Sequence, residues 1–315
     1  MRQIIAIGES VFNTVFEGNT PRCSYVGGRI ANAASSLALA GLPVTMVSEC
    51  ADDCVGDIVV DFLKSNKVNV SSIDRYANGT TPLTTIFRNA DGSEQQVRYG
   101  TYPLDRFNVM WPRINQDDIV IFGSLYAVEN DQRKRLYEIL QYAFDRKALV
   151  LYLPGFECRL GYSITKVMPN ILENFELADV VIGGAADMRD IFPNEDGEKC
   201  YRHHMIYCHR YVHIADDGSA TLFGRGVKTD VAAPEQLNTA SLGWQAGFVA
   251  GFVFGLVENS ILHSSIAAVD DDAWSRAVDS AYRFAAECAK SGTNCISPEF
   301  ASQMAHRLEN IGQDS

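Results

Sequence analysis

The sequence predicts a doubly wound α/β fold, one large domain on a mainly parallel sheet with a small β flap at the sheet's C-terminal edge. Short apolar runs alternate with stretches of helical period, and the apolar runs are continuous, as in strands covered on both faces. The 315-residue chain is 47% hydrophobic, enough to bury a large core. No Pro-, Gly- or Ser-rich linker divides it into halves, so residues 1–315 are expected to form one domain.

In chain order, the expected core strands are 4–8, 44–49, 119–123, 148–153, 180–183 and 211–215. The helices expected between them are 29–40, closed by Gly41, then 57–66, 130–146, 162–175 and 244–258. Near the C-terminus, Asp270, Asp271 and Asp272 cap a helix whose Trp274, Val278, Ala281, Phe284, Ala285 and Cys288 share one face. Pro298 suits the first turn of the last helix. Two segments break the α/β rhythm. Residues 11–17 follow the first strand without a helix, and 83–99 read as a hairpin turning at Asn89-Ala90-Asp91-Gly92. Together they form the expected flap, about 11–20 and 82–100, of the kind that covers a ligand or meets a partner.

A net charge of −12 argues against nucleic acid, which is bound through clustered Lys and Arg. Anionic small molecules remain compatible, since a helix N-terminus can hold a phosphate. No run approaches ~20 apolar residues, so no membrane span is expected. Eight scattered cysteines read as reduced thiols of a cytoplasmic protein.

Five segments carry the chemistry. Gly27-Gly28-Arg29-Ile30-Ala31-Asn32-Ala33-Ala34 combines glycines that allow close backbone approach with an amide that can meet hydroxyls. Gly8-Glu9 lies upstream, Gly56-Asp57 downstream and Ile296-Ser297-Pro298-Glu299-Phe300 near the end. Ala240 to Gly251, A-S-L-G-W-Q-A-G-F-V-A-G, has the shape of a phosphate-cradling turn feeding an apolar helix, yet residues 236–257 contain no charged residue and no His.

In this order the motifs resemble the ribokinase (PfkB) carbohydrate-kinase family across nearly the whole chain, with closest likeness to a fructokinase-like sugar-kinase branch. The resemblance implies a ribokinase-like three-layer α/β/α sandwich with a small β-sheet lid, and transfer of the terminal phosphoryl group of ATP, with Mg²⁺, to a sugar hydroxyl. It also implies a sugar or nucleoside partner and a homodimer formed through the lid. By the same resemblance Asn13, Gly27, Gly28 and Asn32 are the expected substrate-binding residues. Gly218, Gly243, Trp244, Gln245 and Asn294 are the expected cofactor-binding residues.

The chemical groups are another matter. The family's late motif, close to G-A-G-D, offers helix N-terminal amides as an anion hole and an Asp as base. Here Gly243 keeps the first glycine, Trp244 and Gln245 replace the middle pair, and Ala246 stands at the Asp position. Asn13 replaces an acid, and Leu153-Pro154-Gly155-Phe156-Glu157 stands where the branch has D-P-N-x-R. Gly184-Ala185-Ala186-Asp187 and His213-Ile214-Ala215-Asp216-Asp217-Gly218 lack most of the metal and nucleotide groups as well. Weak or absent kinase activity is therefore expected, with no confident catalytic residue and ATP and Mg²⁺ implied by resemblance alone. The alternative is an active kinase whose base has moved to Asp187, Asp216 or Asp217.

Cys200, His203, His204, Cys208, His209 and His213 fall within fourteen residues. Their spacing matches no closed zinc site, and a strand through 207–214 would send alternate residues to opposite sides, so no metal site is expected there.

Overall fold

The computed structural model describes residues 2–313 apart from 90, 92, 156–162 and 292, with side chains through residue 310. The chain opens with β1 (Ile4–Ile7), then β2 (Val11–Glu17), β3 (Thr20–Gly27), α1 (Arg29–Leu39), β4 (Val44–Ala51), α2 (Cys54–Ser65) and β5 (Asn69–Tyr76). Next come β6 (Thr80–Arg88), β7 (Glu94–Thr101), β8 (Ile119–Gly123), α3 (Arg133–Asp145), β9 (Leu149–Leu153) and α4 (Ile164–Leu177). After these run β10 (Val180–Gly184), α5 (Ala185–Ile191), α6 (Gly197–His204), β11 (Arg210–Ile214), β12 (Ala220–Gly224) and β13 (Val227–Val231). Three long helices close the chain: α7 (Trp244–Glu258), α8 (Asp271–Ser291) and α9 (Pro298–Gln313).

The main sheet has the strand order β13-β12-β11-β10-β9-β8-β1-β4-β5. Pairing is parallel from β5 across to β11 and antiparallel only at β12 and β13. The continuous apolar strands are buried throughout: β1, β8 and β9 have every residue inside. Alternate strand residues feed two cores, as the period of two requires. Ile4, Ala6, Ile119 and Ile121 pack under α1, α7 and α8, whereas Ile5, Ile7, Val120 and Phe122 pack against residues of α3, α4 and α5. That is the expected α/β/α layering.

A second sheet, ordered β3-β2-β6-β7, stands beside the first. It takes in more chain than the expected flap, because β3 continues through Gly27 and β6 begins at Thr80. Of the expected hairpin turn, positions 90 and 92 lie outside the described residues. The return from β7 is fastened by Arg106, which binds the buried Glu49 of β4 and lies 3.4 Å over the Tyr102 ring. Burial works against the Arg106 charge, but Glu49 outweighs it and holds the guanidinium above its ordinary pKa.

Several boundaries differ from expectation. α2 starts at Cys54 because Asp53 caps it, accepting from the Gly56 amide at 2.7 Å. α3 begins at Arg133 and α4 at Ile164, with residue 162 outside the described set. α5 and α6 fill a stretch for which no helix is expected, and β5, β12 and β13 extend the sheet at both edges. The α8 cap is as expected, with the Asp270 carboxylate accepting from the Ala273 amide at 2.7 Å. Among the described residues no helix is long and apolar enough to cross a membrane.

Candidate active site

Between the C-terminal edge of the main sheet and the small sheet lies a cleft of about 330 Å³. Its wall from the small sheet follows strand alternation, with Asn13 of β2, Tyr25 of β3, Thr84 and Ile86 of β6, and Gln96 and Arg98 of β7 all facing it. Asn13 and Tyr25 are register partners. Burial pushes the Tyr25 phenol up, against the opposing effect of its hydrogen bond with Asn13, so the phenol stays protonated at neutral pH.

The floor is the turn into α1. Gly28 sits at φ +102° as the helix N-cap, a conformation open to glycine, and a Cβ there would strike the Glu9 carbonyl. A Cβ at Gly27 would strike the Asn13 amide. Asn32, one turn along α1, is 5% exposed. Its Oδ1 is buried with no hydrogen-bond partner, and the residue lines the cleft. A buried amide oxygen left unsatisfied is costly unless something in the cleft donates to it.

On the opposite side the first turn of α7 reaches the cleft through residues 241–246. Gly243, at φ +81°, is the N-cap and supplies no side-chain cap, and the first helical turn carries no acid. The turn packs so closely on the 293–294 segment that a Cβ on Gly243 would lie 2.9 Å from the Asn294 Cα. Asn294 is itself buried and donates to the Val26 carbonyl at 3.3 Å. Helix N-terminal amides without a capping side chain suit an anion. Trp244 is 7% exposed and belongs to the α1/α7/α8 core cluster, so most of its bulk is absorbed below the cleft wall. Gln245 and Ala246 also line the cleft, and Ala246 brings only a methyl group.

Two ion pairs cross the space. Arg29 Nη1 donates to Asp187 Oδ2 at 2.8 Å, joining the start of α1 to α5. Arg98 of β7 stands 3.6 Å from Glu9, which follows β1. The structure thus gathers Asn13, Gly27, Gly28, Asn32, Gly243, Trp244, Gln245, Ala246 and Asn294 around one cleft. Gly218 is not among its lining residues. It occupies the β11–β12 turn at φ +84°, its carbonyl accepting from the Tyr282 hydroxyl at 3.0 Å.

Of the acids named as relocated bases, only Asp187 lines the cleft. Asp216 is held by Arg189 at 2.8 and 3.0 Å on the surface, and that partner keeps its carboxyl below the ordinary range. Asp217 accepts from the Ser219 amide and hydroxyl within its own turn. Sequence reasoning did not find Tyr25, Gln96 and Arg98. The last two were discoverable, since Q-V-R along a half-exposed strand puts residues 96 and 98 on one face.

A family model described as pfkB family carbohydrate kinase matches residues 3–208, so the α7 turn lies beyond the matched span. The 5-dehydro-2-deoxygluconokinase of Clostridium tetani is 22% identical over 278 residues, covering 82% of this chain and 79% of that protein. The Bacillus anthracis protein of the same name is 25% identical over 164 residues, half of this chain and 49% of its own length. Among solved structures, aminoimidazole riboside kinase from Salmonella enterica, complexed with aminoimidazole riboside and an ATP analogue, superposes with a TM-score of 0.77 at 16% identity, covering 97% of this chain and 99% of that one. Fructokinase from Vibrio cholerae O395, in a form with fructose, ADP and calcium ion bound, gives 0.75 at 14% identity over 98% of this chain and 99% of that one. At such identities the likeness is one of fold.

Proposed function

The chain belongs to the pfkB family of carbohydrate kinases, and from that premise we propose that it is a member with impaired phosphoryl transfer that works by binding a sugar or nucleoside in the cleft. The observation that carries this reading is Ala246. The first turn of α7 lines the cleft as an anion hole would, but the position where the family resemblance requires a base holds a methyl group. Loss of a general base alone typically slows a reaction ~10²–10⁴-fold.

Binding has separate support in Asn13, Gly27, Gly28 and Asn32, which line the cleft along the small sheet and the turn into α1. The unpartnered Asn32 Oδ1 suits a ligand hydroxyl, with the small sheet acting as a lid on the bound molecule. The α7 amides near Gly243, Trp244 and Gln245 fit a phosphate group, so ATP has a place to bind. A Mg²⁺ ion would compete with Arg29 for Asp187. We take the chain as one ribokinase-like unit whose lid also joins two copies.

A second reading rests on Asp187, the one relocated-base candidate in the cleft: once Arg29 turns to a substrate or phosphate, this carboxylate is available as base. Titration of ATP·Mg²⁺, with and without a panel of hexoses, pentoses, sugar acids and nucleosides, tests both readings when paired with a turnover assay. Sugar or nucleoside binding with negligible turnover is the expected result. Turnover near ~1 per second, the low end for kinases, overturns the impaired reading. Loss of that turnover in Asp187→Asn would then establish the second.

A further inference from the structure

The short α6 helix brings two imidazoles onto one carboxylate, none of the three residues lining the cleft. His203 Nδ1 lies 3.2 Å from Glu195 Oε1, and His204 Nε2 lies 3.1 Å from Glu195 Oε2. All three ligand atoms fall within 4.8 Å of one another, and no other such trio occurs among the described residues. We propose that Glu195, His203 and His204 form a binding site for a divalent transition ion, zinc by preference, distinct from the sugar cleft.

The distances suit such an ion. Zinc bonds to His nitrogen and carboxylate oxygen of about 2.0–2.1 Å put tetrahedral ligands about 3.3 Å apart, close to the two N···O separations observed. Each nitrogen faces a different oxygen of Glu195, so for one oxygen to serve both imidazoles the carboxylate and His203 have to turn, and His203, 56% exposed at its side chain, has room to do so. His204 is pre-set, because its ring stacks flat on Phe192 at 3.8 Å with an interplanar angle of 2°. Both imidazoles end α6, where the helix dipole favours a cation, and the chain's net charge of −12 favours metal capture further. Imidazole and carboxylate together suit zinc better than the all-oxygen shells that magnesium or calcium takes. Three protein ligands leave the fourth position to water.

The Cys and His run of the sequence points elsewhere. Cys200 is fully buried, Cys208 turns its thiol to the Met205 carbonyl at 3.0 Å, and His213 pairs with the Tyr211 hydroxyl at 2.8 Å. The missing ligand is a glutamate before that run, in the loop joining α5 to α6. A bound ion would clip this loop to the end of α6, next to the helix that carries Asp187.

The test is metal analysis of the full-length protein after dialysis against zinc and then against buffer. It is joined by zinc titration in excess Mg²⁺ and by the visible spectrum of the cobalt(II)-loaded protein. The expected result is one zinc per chain, a tetrahedral cobalt band and a higher unfolding temperature with zinc. His203→Ala and Glu195→Gln, the first at an exposed position and the second isosteric, each weaken zinc binding about tenfold or more. Substoichiometric zinc, or zinc affinity unchanged in both variants, overturns the assignment.

Discussion

Single residues shape the cleft as much by what they omit as by what they carry. At Gly27 the atoms an added methyl group would meet first belong to the Asn13 side chain. Side chains yield more cheaply than backbone, so Gly27→Ala should fold and displace Asn13 from Tyr25. Its ligand affinity should fall about tenfold, or ~1.4 kcal/mol, by calorimetric titration. Unchanged affinity in a folded variant would remove Asn13 and Gly27 from the binding site. That Gly27, Gly28 and Asn32 lie close together was legible because they share one short motif, the one that carries the family resemblance, and all three line the cleft. The Arg29–Asp187 pair was not, since it joins positions 158 residues apart and neither residue's neighbours name the other. Ala246 was legible only through family resemblance, because an alanine in an apolar helix carries no signal of its own.

Elements that were read correctly are those with strong periodicity, and those missed are short or polar. The parallel strands are continuous apolar runs, whereas β13 is largely exposed and α6, G-E-K-C-Y-R-H-H, has six polar or glycine positions in eight and no clear apolar stripe. α7 shows what periodicity alone leaves out. It is buried nearly all round, and Gly247, Gly251 and Gly255 recur every four residues along the side that meets α8. A Cβ at Gly251 would come within 2.7 Å of the Ala281 Cα, and one at Gly247 within 2.8 Å of the Phe284 carbonyl oxygen. These are backbone obstacles, so the helices themselves would have to part. Gly251→Ala should cost ~1–3 kcal/mol as an overpacking change, seen as a lower denaturant midpoint with an unchanged slope. Helix propensity favours the same substitution by up to ~1 kcal/mol, so a stabilised variant would show that α7 and α8 are not packed this tightly.

At the scale of the molecule, the small sheet has two faces and the cleft uses one. The opposite face carries Phe16 and Phe87, which stack at 5.4 Å, and Tyr99, 57% exposed. In β2 and β6 these aromatics alternate with Asn13, Thr84 and Ile86 of the cleft wall, so the strand period that turns one set toward a ligand turns the other away. Such aromatic residues on a sheet with open edges are suited to burial against a partner, and the partner proposed above is a second copy of the chain. Light scattering after size exclusion is expected to give twice the 34.7 kDa chain mass, and Phe87→Glu to return the monomer by placing a charge in the contact. A monomeric mass for the unmodified protein across micromolar concentrations would reject the pairing. Dimerisation through this sheet would couple assembly to binding, because the strands that meet the partner also position Asn13 and Arg98 in the cleft. Ligand affinity should then fall along with the mass in Phe87→Glu, although Phe87 itself does not line the cleft.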